Sequence, residues 1–407
     1  MKLDVEQVRS MFPALQSKGD TTPPVYLDSA AQSLIVQASL NAVVQFETSR
    51  ANVHRGMYPL AEQATGAYEN ARQTVQQFLH AAHPQEIVFT KNGTEGTNLV
   101  AQSWGRANLQ ADDAVVLSIL EHHSNVVPWL QLKREKGIRL EWIDCDKQGN
   151  LDQEQYRQVL QKKNVKLVTL TGQSNVLGVR PPLKKMIQLA HEAGAITAVD
   201  AAQLVVHYPI DVQNLDCDFL TFSGHKIYGP TGIGVLYGKR AHLETMPPFL
   251  GGGSMIQWVE REDFTTTDIP TKFEAGTPPT AQAVGLAAAL QWLTQYRWED
   301  IERHEQRLFR HAQDILSAIK GVQILSPATA SGCLSFTLDG IHPHDVAEIL
   351  SQRGVCMRAG HHCAQPLHDH LGIPGSVRLS IGIYNTEAEI DCVAPALKHA
   401  IHLFSKS

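Results

Sequence analysis

Ala195-Ile196-Thr197-Ala198-Val199-Asp200-Ala201-Ala202-Gln203 is a mostly apolar run that stops at a carboxylate. A short continuous apolar run fits a strand buried on both faces. Similar runs lie on either side of it. Upstream are Glu86-Ile87-Val88-Phe89-Thr90, Ala114-Val115-Val116-Leu117-Ser118 and Lys166-Leu167-Val168-Thr169-Leu170. Downstream are Phe219-Leu220-Thr221-Phe222 and Ile233-Gly234-Val235-Leu236-Tyr237. Helix-like stretches separate them from about residue 35 to 240. Such alternation predicts an α/β fold with a mostly parallel sheet covered on both faces.

After about residue 280 the pattern changes. Helical stretches at 281–296 and 299–319 precede strands at Cys333–Leu338 and Val377–Ile383, and a helix at 387–404 closes the chain. This predicts a smaller α+β unit. The Gly-rich segment from Gly251-Gly252-Gly253 to Gly276-Thr277-Pro278 reads as loop near the junction, where pockets commonly form.

The 407 residues suggest two or three domains at roughly 150 residues each. With 35 Lys+Arg against 41 Asp+Glu, the net charge of −6 argues against a general nucleic-acid binder. No apolar window is long enough for a membrane span, and the charged start MKLDVEQVRS lacks a secretory h-region. A cytoplasmic protein is expected. The six cysteines include no C-x-x-C pair, so thiols are expected rather than disulfides.

Four segments carry chemistry. Ser223-Gly224-His225-Lys226-Ile227-Tyr228-Gly229-Pro230-Thr231-Gly232-Ile233-Gly234 follows a strand. A surface lysine in a turn is the bland reading. The functional one is a Schiff-base lysine, an amine at a strand end able to condense with an aldehyde cofactor. Asp200 at its own strand end is either a turn aspartate or a buried carboxylate that needs a partner, such as a pyridinium nitrogen. Asn92-Gly93-Thr94-Glu95-Gly96-Thr97 lies between a strand and a helix. Its backbone N–H groups and hydroxyls can cradle a phosphate, although such turns are common. Glu121-His122-His123 follows another strand. A histidine there can stack on a flat ring or ligate a metal, and a lone His-His pair more often does neither.

Together these segments resemble the class V aminotransferase-like group of pyridoxal 5′-phosphate (PLP) enzymes, of fold type I. Arg358-Ala359-Gly360-His361-His362-Cys363-Ala364-Gln365-Pro366 resembles the active-site cysteine motif of cysteine desulfurases of the SufS/CsdA type. Further matches are Asn52-Val53-His54-Arg55, Glu121-His122-His123-Ser124-Asn125, Ser174-Asn175-Val176-Leu177-Gly178, Glu274-Ala275-Gly276-Thr277-Pro278 and Val377-Arg378-Leu379-Ser380. They run in the family's order from about residue 26 to 385. The short cysteine loop separates this type from the NifS/IscS type.

The resemblance implies a PLP-binding large domain over 26–280 and a small C-terminal domain over 281–407 with the cysteine loop. Residues 1–25 would pack on the small domain. It implies that Lys226 holds the cofactor and moves protons, Asp200 pairs with the ring nitrogen, Gln203 contacts the ring hydroxyl and His122 stacks on the ring. Thr94, Ser223 and His225 would hold the phosphate, with Thr277 reaching it from the other subunit of a homodimer. Arg378 and Asn175 would take the substrate carboxylate, with Arg358 and His54 in the substrate site. Arginine suits that role because its fork binds carboxylates bidentately. Cys363 would attack the sulfur of L-cysteine, leave L-alanine and carry a persulfide to a SufE/CsdE-like acceptor, for iron–sulfur cluster assembly or tRNA thiolation.

Two departures stand out. Gly93 replaces a frequent second hydroxyl, and Gly172, beside Gln173, replaces a frequent His or Gln. Adjacent His361, His362 and Cys363 are poorly spaced for one metal, so no metal site is expected. Arg358 and both histidines are instead expected to favour a Cys363 thiolate. The enzyme alternative is a selenocysteine lyase or cysteine sulfinate desulfinase, which needs Cys363 less. A scaffold without catalysis would have no use for Lys226, Asp200, Arg378 and Cys363 together.

Overall fold

A computed structural model describes residues 3–16 and 23–404 of the chain. The remainder of the expected N-terminal segment, and residues 405–407 of the expected small domain, lie outside the described residues.

The large sheet has seven strands. They are β1 (Ile87–Thr90), β2 (Ala114–Ser118), β3 (Arg139–Ile143), β4 (Val165–Thr171), β5 (Ile196–Asp200), β6 (Phe219–Ser223) and β7 (Gly234–Gly238). The spatial order is β1-β7-β6-β5-β4-β2-β3. Neighbours from β6 to β3 pair in parallel, while β7 runs antiparallel to both β6 and β1. Strands β2, β6 and β7 are buried along their whole length, so each reads as an unbroken apolar run. Edge strand β3 is mostly half-buried and carries Arg139 and Glu141. It has no such run, and the sequence reading passes over it. The hairpin Ile256–Val259 and Phe264–Thr266 lies within the stretch expected to be loop. Its exposed strands have no apolar face toward a core.

The second sheet is antiparallel: β8 (Val322–Ile324), β9 (Cys333–Leu338), β10 (Arg358–Gly360) and β11 (Ser376–Ser380), ordered β8-β9-β11-β10. Helix Trp298–Ser317 buries Ile301, His304, Glu305, Leu308, Phe309, Ala312 and Leu316, a stripe at three- and four-residue spacing. The helix expected over 387–404 is two helices, Glu387–Asp391 and Val393–Phe404. Pro395 cannot continue the upstream ladder, because it lacks an N–H and its ring crowds the carbonyl of Asp391. Apolar helix Thr280–Leu293 lies against helix Gln37–Thr48 at Gly285, where an added Cβ would sit 2.5 Å from Val43.

Asp4 caps helix Val5–Ser10. From that helix Arg9 donates to the Tyr384 carbonyl at 2.6 Å and pairs with Glu389 at 2.9 Å. Phe12 packs edge-on to Tyr384, Trp292 and Tyr228. The two-residue strand Val25–Tyr26 pairs with Val355–Cys356. The N-terminal residues are thus tied to the C-terminal part of the chain.

Candidate active site

The strands of the large sheet deliver their side chains at one end. β1 leads to Asn92-Gly93-Thr94, β2 to His122, β4 to Gln173 and Asn175, β5 to Asp200, and β6 to Lys226. Open α/β sheets bind ligands outside the carboxyl ends of their strands, where the strand order reverses. Here the reversal falls at the β2–β4 pair. A cleft of about 190 Å³ opens there, lined by Thr94, His122, Asn175, Asp200, Gln203, Ser223, His225 and Lys226 from this sheet and by Arg358, His362 and Arg378 from the C-terminal part.

Asp200 ends β5 and is buried. Its Oδ1 accepts the Ala202 N–H at 2.9 Å. Burial raises its pKa, against the opposing pull of Lys226, the Ala202 N–H and Ser124. Lys226 closes the short helical turn Gly224–Lys226. Burial lowers its pKa despite Asp200, and Arg378 pushes the same way. The amine is therefore more easily deprotonated than a surface lysine, as a nucleophile and proton carrier requires. The His122 Nδ1 accepts the Ser124 N–H at 3.1 Å, which leaves the proton on Nε2. Burial, then Lys226, drives the His122 pKa down to about 3, so the ring is neutral. His225 falls to about 4 for the same two reasons. Gln203 donates to the Ala30 carbonyl at 2.8 Å.

Both departures have local causes. The Gly93 N–H donates to Ser223 Oγ at 2.8 Å, and a Cβ there would stand 3.3 Å from that oxygen and from the Phe222 backbone. At Gly172 a Cβ would come within 2.9 Å of Leu204. Gln173 beside it donates to the Ser331 carbonyl at 2.9 Å and leaves its own carbonyl oxygen buried without a partner.

Arg378, on β11, is buried. It donates to the Asn175 carbonyl at 2.9 Å and to Asp28 at 3.0 Å, while its Nε has no partner. His362 donates from Nε2 to the Ser376 carbonyl at 3.0 Å, and its Nδ1 is also unpartnered. Buried polar atoms without partners are costly. Those of Gln173, His362 and Arg378 sit on residues lining one cleft. Gln173 Oε1 and His362 Nδ1 accept while the Arg378 Nε–H donates, so a ligand carrying both donor groups and an anionic acceptor would satisfy them.

Cys363 lies on the loop above this cleft. Gly360, His362 and Cys363 have φ of +112°, +51° and +57°, and two non-glycine residues in that region store strain. Asn175 Nδ2 donates to the His362 carbonyl at 2.6 Å, and the His123 N–H donates to the Cys363 carbonyl at 2.7 Å. The expectation that both histidines add positive potential at Cys363 needs correction. Burial, then Arg378, pushes the His362 pKa down to about 2, so that ring is neutral. Arg358 and Arg378 are the arginine cations that line the cleft beside the loop.

Two expected residues are not brought in. His54 is exposed at φ +67° and bonds Glu69 at 2.9 Å. Thr277 lines a separate cavity with Lys91, Glu95, Gly232 and Glu274. Conversely, Ser124 bonds His122, Asp28 bonds Arg378 and Gln173 lines the cleft, although the sequence reading gave them no role. Ser124 and Gln173 stand within one or two positions of His122 and Asn175, which was the available signal. Among the described residues, no group of three or more His, Cys, Asp or Glu is placed to hold a metal ion, and no helix is long and apolar enough to cross a membrane.

A family model described as aminotransferase class-V matches residues 25–393. A probable cysteine desulfurase of Halalkalibacterium halodurans is 43% identical over 403 residues, covering 99% of each chain. A cysteine desulfurase of Haloferax volcanii is 42% identical over 419 aligned positions, covering 99% of this chain and 98% of the relative. Among solved structures, the cysteine desulfurase CsdA of Escherichia coli, in an S-sulfonic acid form, matches with a TM-score of 0.91 at 41% identity, covering 98% of this chain and 99% of that one. A NifS-like protein matches with a TM-score of 0.81 at 22% identity, covering 94% of this chain and all of that one, which is a likeness of fold.

Proposed function

The chain belongs to the class-V aminotransferase family, and we propose that it is a PLP-dependent cysteine desulfurase that moves sulfur from L-cysteine to Cys363 and releases L-alanine. The observation that carries this is the convergence of Lys226, Asp200, His122, Asn175 and Arg378 in one cleft, under a loop whose Cys363 carbonyl is tied to the His123 N–H. The unpartnered Arg378 Nε suits a carboxylate, and the buried Asp200 suits a cationic ring nitrogen.

Bound PLP would supply an electron sink for bond cleavage at the amino-bearing end of the substrate. Asp200 would hold the ring nitrogen, Gln203 the ring hydroxyl and neutral His122 the ring face. Thr94, Ser223 and His225 would hold the phosphate. Arg378 and Asn175 orient the substrate carboxylate, with Arg358 beside them. Lys226 Nζ takes and returns the proton that moves at the substrate's carbons. Cys363 Sγ attacks the substrate sulfur, so an S–S bond forms as the Cβ–S bond breaks. The freed electron pair ends in a new Cβ–H bond, and the protein keeps one extra sulfur.

Residues 26–280 serve as the cofactor-bearing unit and 281–407 as the unit that brings Cys363, with the N-terminal residues tied to the latter. Thr277, outside this chain's cleft, serves the cleft of a second copy in a homodimer, and His54 approaches substrate from the same interface. A SufE/CsdE-like protein removes the persulfide. The six unpaired thiols suit the reducing cytoplasm.

Alanine release from L-cysteine and mass spectrometry after one turnover test the reading together. One extra sulfur on the Cys363 peptide is expected. Extra sulfur on Cys356 instead, or near wild-type turnover by Cys363→Ser, overturns it.

A further inference from the structure

Between the cofactor-facing His122 and the Cys363 loop stands one short turn, His123–Asn125. Its base is locked into the sheet. Buried Glu121 accepts from Ser118 Oγ and, at 2.7 Å, from Asn125 Nδ2; Asn125 Oδ1 in turn accepts the Thr169 hydroxyl at 2.7 Å. Its top meets the nucleophile's loop twice, through His123. The His123 N–H donates to the Cys363 carbonyl, and the ring Nε2 accepts the Gln365 N–H at 3.0 Å. Gln365 is the first residue of helix Gln365–Leu371, and no side chain of its own segment caps that end. The ring therefore takes up one of the helix's free N–H groups from outside. The two bonds bracket Cys363, which sits in a strained left-handed conformation, and add to the Asn175 tie on the preceding carbonyl.

We propose that the His123 side chain is a positioning residue that holds Cys363 in its attacking pose and couples that pose to the His122 turn. This deepens the desulfurase reading and rests on it. The tie needs a lone pair on Nε2, hence a neutral ring. Burial and His361 both lower the His123 pKa in that direction.

The test uses the full-length holoenzyme with two substrates. L-Cysteine needs thiolate attack, whereas cysteine sulfinate loses its sulfur group without it. His123→Ala is expected to lower cysteine turnover roughly 10- to 100-fold, the loss a misplacement of about 1 Å brings, with sulfinate turnover within about twofold of wild type. His123→Gln, whose amide oxygen reaches as far as Nε2, should restore most of the cysteine turnover. An equal loss on both substrates, or none on either, overturns the proposal. Alkylation of Cys363 by iodoacetamide reads the pose without substrate. Its rate should shift several-fold in His123→Ala and return in His123→Gln, and an unchanged rate overturns the proposal whatever turnover shows. Near wild-type turnover by Cys363→Ser would instead sink the desulfurase reading and leave the alkylation result to decide on His123.

Discussion

The turn that carries Lys226 and the loop that carries Cys363 face the same cleft but are held by different forces. Around Lys226 the constraint is packing. A Cβ on Gly224 would stand 2.6 Å from Ile233, and one on Gly234 would stand 2.4 Å from the Asn92 backbone. Tyr228 is left-handed there, but it is buried and its hydroxyl accepts the Ile383 N–H at 3.1 Å. Around Cys363 the constraint is a few hydrogen bonds to the loop backbone, made by Asn175 and His123. Packing fixes Lys226, the proposed cofactor anchor, in place. Polar tethers fix Cys363, the proposed nucleophile, only until they are exchanged, which would suit a group that takes sulfur inside the cleft and gives it away outside.

The largest effects should come from removing either reacting group. Lys226→Ala should abolish turnover on every substrate, because proton transfer by a placed side chain is worth about 10²- to 10⁴-fold and the cofactor's covalent anchor goes with it. Borohydride reduction with peptide mapping should place the adduct on Lys226, and an adduct on another lysine would break the comparison at its root. Cys363→Ser should abolish alanine formation from cysteine and spare cysteine sulfinate, as product assays on the two substrates will show.

Next in size is the steric side. Gly234→Ala should cost about 1–3 kcal/mol or more, because its methyl would meet the Asn92 backbone. Thermal unfolding and cofactor occupancy should fall together. A variant as stable as wild type would mean that the anchor is not held by packing. A smaller effect is expected at Arg378→Lys. Losing the fork should raise KM for cysteine roughly 10- to 100-fold, the worth of hydrogen bonds to a charged group. A change confined to kcat would argue against carboxylate binding there.

A separate test concerns pH. His122, His225, His304 and His362 have pKa values held down to about 3, 4, 4 and 2, against 6.5 in the unfolded chain. Below 6.5 the unfolded state binds protons that the folded state refuses, so stability falls as pH falls. The slope is at most about 1.4 kcal/mol per pH unit for each histidine. Glu121, raised to about 7 from 4.5 by burial, binds its proton in the folded state and offsets one of them between those two values. Unfolding temperature should drop from pH 6.5 to 5, and a rise would contradict the neutral, buried rings.

Much of the large sheet was legible because its inner strands are buried on both faces. Their apolar runs end where the chemistry begins, so Asp200 and Lys226 could be placed at strand ends from local pattern alone. β3 was not legible. An edge strand alternates with solvent, and Arg139 and Glu141 hide it. The Cys363 motif was recognisable as a string, but its electrostatics were misjudged, because the charge on His362 depends on a burial that no neighbour in sequence reveals.

What the amino-acid order determined by itself is what short-range chemistry decides: which runs become buried strands, which residues stand at their ends, and that an amine, a carboxylate, an arginine fork and a thiol are available. Only the tertiary structure decided which of them meet. It set Arg378 of β11 against Asn175 and Asp28, put Cys363 under the hold of His123, and left Thr277 and His54 outside this chain's cleft. The physical reason is range. Hydrogen bonds and steric contacts act over a few ångströms, and residues this distant in sequence come that close only once the sheets have assembled.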